Sequence, residues 1–172
     1  MNRDAIFSPC RKWRYVLWRE WDCDLLTGCS DDLPNADKFV QFIGLNPSRA
    51  DEVVSDSTLT RCVNFAKSWG YGSMVMTNLF GYRATYVKDM KAQDDPVGCD
   101  NDQHLSDVAS RAGLIVCAWG LHGRFKNRDA AVLSFLPSDK LMCLRLTKGG
   151  FPEHPLYIPA ITQPVRFQPK LG

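Results

Sequence analysis

Four short segments hold most of the side chains that could do chemistry in this 172-residue chain. They are Gly44-Leu45-Asn46-Pro47-Ser48-Arg49, Asn78-Leu79-Phe80-Gly81-Tyr82-Arg83, Trp119-Gly120-Leu121-His122-Gly123-Arg124 and Thr147-Lys148-Gly149-Gly150-Phe151-Pro152-Glu153-His154-Pro155. Each begins where a short apolar run stops. An Asn amide offers a paired donor and acceptor that suits the edge of a nucleobase. A histidine can donate to an oxygen that gains charge during a reaction. Arg and Lys suit phosphate. Two of the three histidines, two Asn, three Arg and a Lys therefore recur in the same kind of place. Together they describe a pocket for a polar, flat, optionally phosphate-bearing ligand. Singly, each has a plainer role: Gly44 and Pro47 shape a turn, Asn46 before Pro47 starts one, Asn78 caps the next element, and the charges are solvated.

The elements that would bring these segments together can be read from the periodicity. Trp13 to Trp21 alternates with period two and is rich in aromatics, which predicts a strand. Asp22 to Asp37 holds Gly, Ser, Asn, Pro and several Asp, and reads as a loop. Phe39-Val-Gln-Phe-Ile43 reads as a strand. Leu59, Cys62, Val63, Ala66 and Trp69 follow at helical spacing, with Asp56 or Ser57 as N-cap and Gly70 as the stop. Ser73 to Thr77 is strand-like, Asn101 to Ala112 helical, Leu114 to Ala118 a strand, Arg124 to Phe135 a helix and Leu141 to Leu144 a strand. Strands alternating with helices predict an α/β fold in three layers. Its expected centre is a mostly parallel sheet of about four strands. The N-terminal strand, within residues 1–37, would join as an antiparallel edge or hairpin. One domain over 1–172 is expected. In an open α/β sheet, ligands bind beyond the carboxyl ends of the strands, where all four segments fall.

Composition limits the alternatives. The chain is 45% hydrophobic and 23% charged with a formal net charge of +2, which excludes a disordered chain and gives a nucleic-acid binder no support from bulk charge. No apolar run approaches the ~20 residues that span a bilayer, and the first residues lack a signal-peptide core, so a cytoplasmic domain without a membrane partner is expected. The seven cysteines include no C-x-x-C pair, so no zinc or iron–sulfur metal site is expected. Arg49, Arg83, Arg124 and Lys148 place positive charge at the strand exits, while Asp22, Asp24, Asp31 and Asp32 sit in the early loop.

The order GLNPS (44–48), VMTNLFGYRA (75–84), VCAWGLHGR (116–124) and EHPLYIP (153–159) resembles the uracil-DNA glycosylase superfamily, most closely its mismatch-specific branch. The same wording is similar to a widespread bacterial and phage family of unknown function. The resemblance covers roughly residues 38 to 160 and implies a uracil-DNA glycosylase-like fold with no cofactor. It implies that Asn46 positions the attacking water or polarises the sugar side, that Asn78 reads a flipped base, and that His154 donates to the departing base. Phe80 or Tyr82 would stack on the base, and Leu156 or Tyr157 would replace it in the duplex. Gly44, Pro47, Ser48, Arg83, His122 and Lys148 complete the expected base- or nucleotide-binding set. An Asn at position 46 cannot act as a general base, so Asp51, Asp56 or Asp100 would have to activate the water. Ser48 stands where the uracil-specific branch carries a bulky aromatic, and would admit thymine or a larger 5-substituent.

Three functions follow as expectations. The first is an N-glycosylase-like hydrolase, a glycosidase of DNA repair or modification, acting on a uracil, mismatched or 5-modified pyrimidine. The second is a non-catalytic nucleotide-binding protein with the same pocket, and the third a nucleoside- or nucleotide-processing enzyme. The partner is DNA or a free nucleotide, and the expected oligomeric state is a monomer.

Overall fold

The computed structural model describes residues 2–22, 33–48, Ala50 and 53–169. Its centre is one sheet of seven strands. In chain order these are β1 (Asn2–Phe7), β2 (Arg14–Glu20), β3 (Phe39–Gly44), β4 (Ser73–Asn78), β5 (Leu114–Cys117), β6 (Leu141–Cys143) and β7 (Val165–Arg166). The spatial order is β1-β2-β4-β3-β5-β6-β7.

This corrects the expected fold class. Three pairings are parallel (β4 with β3, β3 with β5, β5 with β6) and three are antiparallel (β1 with β2, β2 with β4, β6 with β7). The sheet is mixed and has antiparallel pairs at both edges, so a mostly parallel sheet of about four strands in a uracil-DNA glycosylase-like frame does not describe it. The strands that changed the class are those with the weakest pattern. β1 reads Asn-Arg-Asp-Ala-Ile-Phe, with its polar residues first, and β7 has two exposed residues.

β2 is the strand that period two predicts within Trp13 to Trp21, but its burial differs from the pattern. Alternation predicts a strand with one wet face. Yet β2 lies between β1 and β4, and its residues from Arg14 to Arg19 are all buried.

Helix α1 (Ser57–Ser68) starts at Asp56, whose Oδ1 accepts from Leu59 N at 2.8 Å. It places Leu59, Cys62, Phe65 and Ala66 in one apolar cluster with Val40, Phe42, Met74 and Met76 of the sheet. α2 (Val87–Lys91) is a short turn of helix. α3 (Asn101–Arg111) sets Leu105, Val108 and Ala109 in a second cluster with Phe39, Ile43, Val75 and Ile115. Alternate residues of β3 and β4 thus serve different clusters, as period two requires.

The helix expected over Arg124 to Phe135 is broken. A 3-10 stretch covers Leu121–Asn127, and α4 begins only at Arg128 and ends at Leu133. Lys126 and Asn127 both have φ of 54°, a left-handed conformation that interrupts right-handed helix. Cys62, Cys117 and Cys143 are buried, and burial pushes their thiols above the ordinary range. They pack as small apolar groups.

Candidate functional site

The register explains why the strand exits converge. Gly44 pairs with Asn78, Ile43 with Cys117 and Cys117 with Cys143. The four parallel strands therefore end at nearly one level. β2 runs the other way, so its first residue, Arg14, arrives where the others leave, and Arg14 N donates to Gly81 O at 2.9 Å.

A cavity of about 500 Å³ opens along this edge. Asn46, Ser48, Asp56, Asn78, His122 and His154 supply polar groups to its lining, and Phe42, Met76, Trp119 and Tyr157 supply apolar surface. The mixture of apolar wall and few polar groups is that of a small-molecule site.

Asn78 is 3% exposed, and its Nδ2 has no hydrogen-bond partner among the described residues. A buried amide donor left unpaired costs about 1–3 kcal/mol, which a ligand acceptor would recover. Gly44 makes room for this side chain: a Cβ on Gly44 would lie 2.8 Å from Asn78 Oδ1. From behind, Asn101 Nδ2 donates to the main-chain carbonyls of Asn78 (3.0 Å) and Leu79 (3.1 Å). Arg128 Nε donates to Leu79 O at 2.7 Å and its guanidinium also bonds Asp102. The end of β4 is thus tied to α3 and α4.

Asn46 is held differently. Its Nδ2 donates to Pro47 O at 3.1 Å and Ala84 O at 2.9 Å, and Ala84 N returns a bond to Pro47 O at 2.9 Å. The amide thereby clips the loop after β3 to the loop after β4. With both N–H groups engaged, Oδ1 is the group left to meet a ligand or water.

Ser48 Oγ donates to Asp56 Oδ2 at 2.5 Å. Asp56 therefore caps α1 with one oxygen and holds the loop after β3 with the other. His154 Nδ1 accepts from Leu156 N at 3.3 Å, which leaves the proton of the neutral ring on Nε2. Burial pushes this imidazole below its ordinary value, against the opposing pull of the Asp56 carboxylate. His154 is accordingly neutral at pH 7. Its loop is fixed by a two-pronged pair, Arg145 Nε to Glu153 Oε2 at 2.6 Å and a second guanidinium nitrogen to Oε1 at 3.0 Å. Arg61 of α1 also donates to Ile158 O.

Of the residues expected from sequence, Gly44, Asn46, Ser48, Asn78, His122, His154 and Asp56 line this cavity. Others do not. Phe80 is buried, packs on Phe125 with ring centroids 5.8 Å apart and does not line the cavity; Trp119 and Phe42 are the buried rings that do. Tyr82 and Arg83 line a neighbouring cavity. Pro47 is buried behind the loop, Lys148 is exposed in the turn after β6, and Asp100 is exposed at the start of α3. Asp51 and Arg49 lie outside the described residues, as do Asp24, Asp31 and Asp32. Arg124 lies over the Phe151 ring at 5.7 Å rather than in the cavity. The expected basic edge is therefore partly dispersed.

Arg14 was missed. It is 4% exposed, lines the cavity and donates to Ala50 O at 2.5 Å. Within an aromatic strand pattern it reads as an outward-facing charge, and nothing local reveals that the strand is interior.

Among the described residues no group of three metal-ligating side chains is found, and no helix is long and apolar enough to cross a membrane. The chain matches, over residues 14–156, the family described as "Protein of unknown function (DUF1643)", and it belongs to that family. Both ends of the matched stretch, Arg14 and Leu156, line the cavity. No curated protein matches the chain, and no solved structure matches it.

Proposed function

We propose that the cavity binds the base of a nucleotide, and that the protein hydrolyses a base–sugar bond in the manner of an N-glycosylase. The observation that carries this reading is the buried Asn78 amide, whose Nδ2 has no partner among the described residues, in a cavity shared with His154 and the Asp56–Ser48 pair. The amide suits a base edge. A neutral His154 with its proton on Nε2 suits an oxygen that gains negative charge as the bond breaks. Of the three carboxylates considered for activating water, Asp56 lines the cavity, and Asn46 Oδ1 would help to orient the water rather than deprotonate it. Leu156 and Tyr157 are 40% and 72% exposed beside the cavity, suited to filling the gap left by an extruded base.

One observation favours a second reading, nucleotide binding without turnover. Asp56 is already engaged by Leu59 N and by the Ser48 hydroxyl, and Asn46 by two carbonyls. A polar set so occupied with holding loops would serve a binding protein equally well.

The test is base release from oligonucleotides carrying uracil, mismatched thymine or 5-modified pyrimidines, together with binding of the free nucleotides. Asp56→Asn keeps a cap oxygen for Leu59 N while removing the base, so turnover should fall at least ~100-fold with the fold retained. Asn78→Ala should weaken binding about tenfold or more. Binding lost in Asn78→Ala without base release by wild type selects the second reading. Failure of every base and nucleotide to bind refutes both.

A further inference from the structure

We infer that the cavity beside the first is a phosphate subsite, so that the ligand is a nucleotide or strand phosphate rather than a bare base or nucleoside. The inference rests on the base-pocket reading above and adds the part of the ligand that reading leaves open.

The second cavity, of about 340 Å³, shares Ser48, Ala84 and Thr85 with the first. The rest of its described lining is Arg11, Lys12, Tyr82 and Arg83, with no Asp or Glu among the described lining residues. Three cations thus line a space that shares part of its wall with the base pocket. A phosphate joined to a nucleoside whose base sits in the first cavity has to lie a few ångströms away, and this is the adjoining space.

The basic cluster is built by tertiary structure. Arg11 is in the left-handed region at φ 57°, in the turn between β1 and β2, and its N donates to Ser8 O at 2.8 Å. That turn is docked on the loop after β4. Arg83 N donates to Lys12 O at 2.9 Å, an Arg83 guanidinium nitrogen donates to Arg11 O at 3.4 Å, and Trp13 meets Tyr82 edge-on at 5.6 Å. The guanidiniums of Arg11 and Arg83 lie over the same Phe7 ring, 3.9 and 5.0 Å from its centroid. The ring attracts each cation and so holds both guanidiniums on the side of the turn that faces the loop after β4. Arg fits phosphate oxygens through its planar fork, and Lys as a point charge.

The phosphate can belong to a free nucleotide or to a nucleic-acid strand, and the experiment separates these. Binding to the full chain is measured for a pyrimidine nucleoside, its 5′-monophosphate, a single-stranded pentanucleotide and pyrophosphate. The monophosphate should bind at least tenfold more tightly than the nucleoside. In Lys12→Ala/Arg83→Ala the ratio of the two affinities should collapse toward one. Equal wild-type affinities, or a ratio that survives the double substitution, overturn the subsite while the base pocket stands. If no nucleoside binds, pyrophosphate binding that shifts the Lys12 and Arg83 resonances and vanishes in the double variant supports the subsite and removes the base reading. Absence of that binding as well overturns both. Tighter binding of the pentanucleotide with a steep salt dependence assigns the phosphate to a strand, and affinity equal to the monophosphate assigns it to a free nucleotide.

Discussion

His154 carries the clearest consequence at the scale of single residues. Its ring is disfavoured as a cation because it is partly buried, and the Asp56 carboxylate opposes this. In the unfolded chain the same group titrates near 6.5. As pH falls through that value the unfolded state takes up a proton that the folded state does not. Stability therefore rises with pH across the window below 6.5 and is lost on acidification. Thermal unfolding of wild type and His154→Gln between pH 5 and pH 8 should give curves that diverge below pH 6.5, with wild type losing more. Parallel curves would mean that the ring is solvated. Asn78 differs in kind, since its unpartnered amide already disfavours the empty state, and truncating it should leave the free protein no less stable.

At the scale of elements, the site depends on how β3 and β4 end together. Gly44 and Asn78 are paired in register, and the glycine leaves the space that the amide fills. Gly44→Ala places a methyl 2.8 Å from Asn78 Oδ1, so the amide must turn or the strands must part. We expect a loss of roughly 1–3 kcal/mol in urea unfolding together with at least tenfold weaker ligand binding. Full binding with unchanged stability would show that the Asn78 side chain is free to move. This coupling was half legible in the sequence. Asn78 and Gly44 stood out at strand ends, but the contact between them depends on which strands are neighbours. Asn101 gave less signal still. In its helix it reads as an ordinary polar first-turn residue, whereas it satisfies two carbonyls behind the β4 exit.

For the whole molecule, the N-terminal hairpin is the feature that joins sheet edge to site. β1 covers the outer edge of β2, and the turn after β1 contributes to the basic cavity. Removing residues 1–7 would expose the main-chain groups along the outer edge of the buried strand β2. Such an edge pairs with other chains. Size-exclusion chromatography of the truncated chain should show self-association at micromolar concentration where the full chain shows a smaller species. Identical elution profiles would mean that β1 is dispensable for protecting the edge.

The sequence by itself determined the local elements and the chemistry available at their ends. Apolar runs set β3, β4 and β5, helical spacing and the Asp56 cap set α1, and turn residues marked where Asn46, Asn78, His122 and His154 would emerge. These depend on neighbours in the chain, so a local pattern suffices. Tertiary structure decided the mixed sheet, the burial of Arg14, the withdrawal of Phe80 into the core and the meeting of Arg11 with Arg83. Each is set by pairing and packing between segments far apart in the chain. An antiparallel strand delivers its beginning to the edge where parallel strands end, and only the sheet order determines which residue that is.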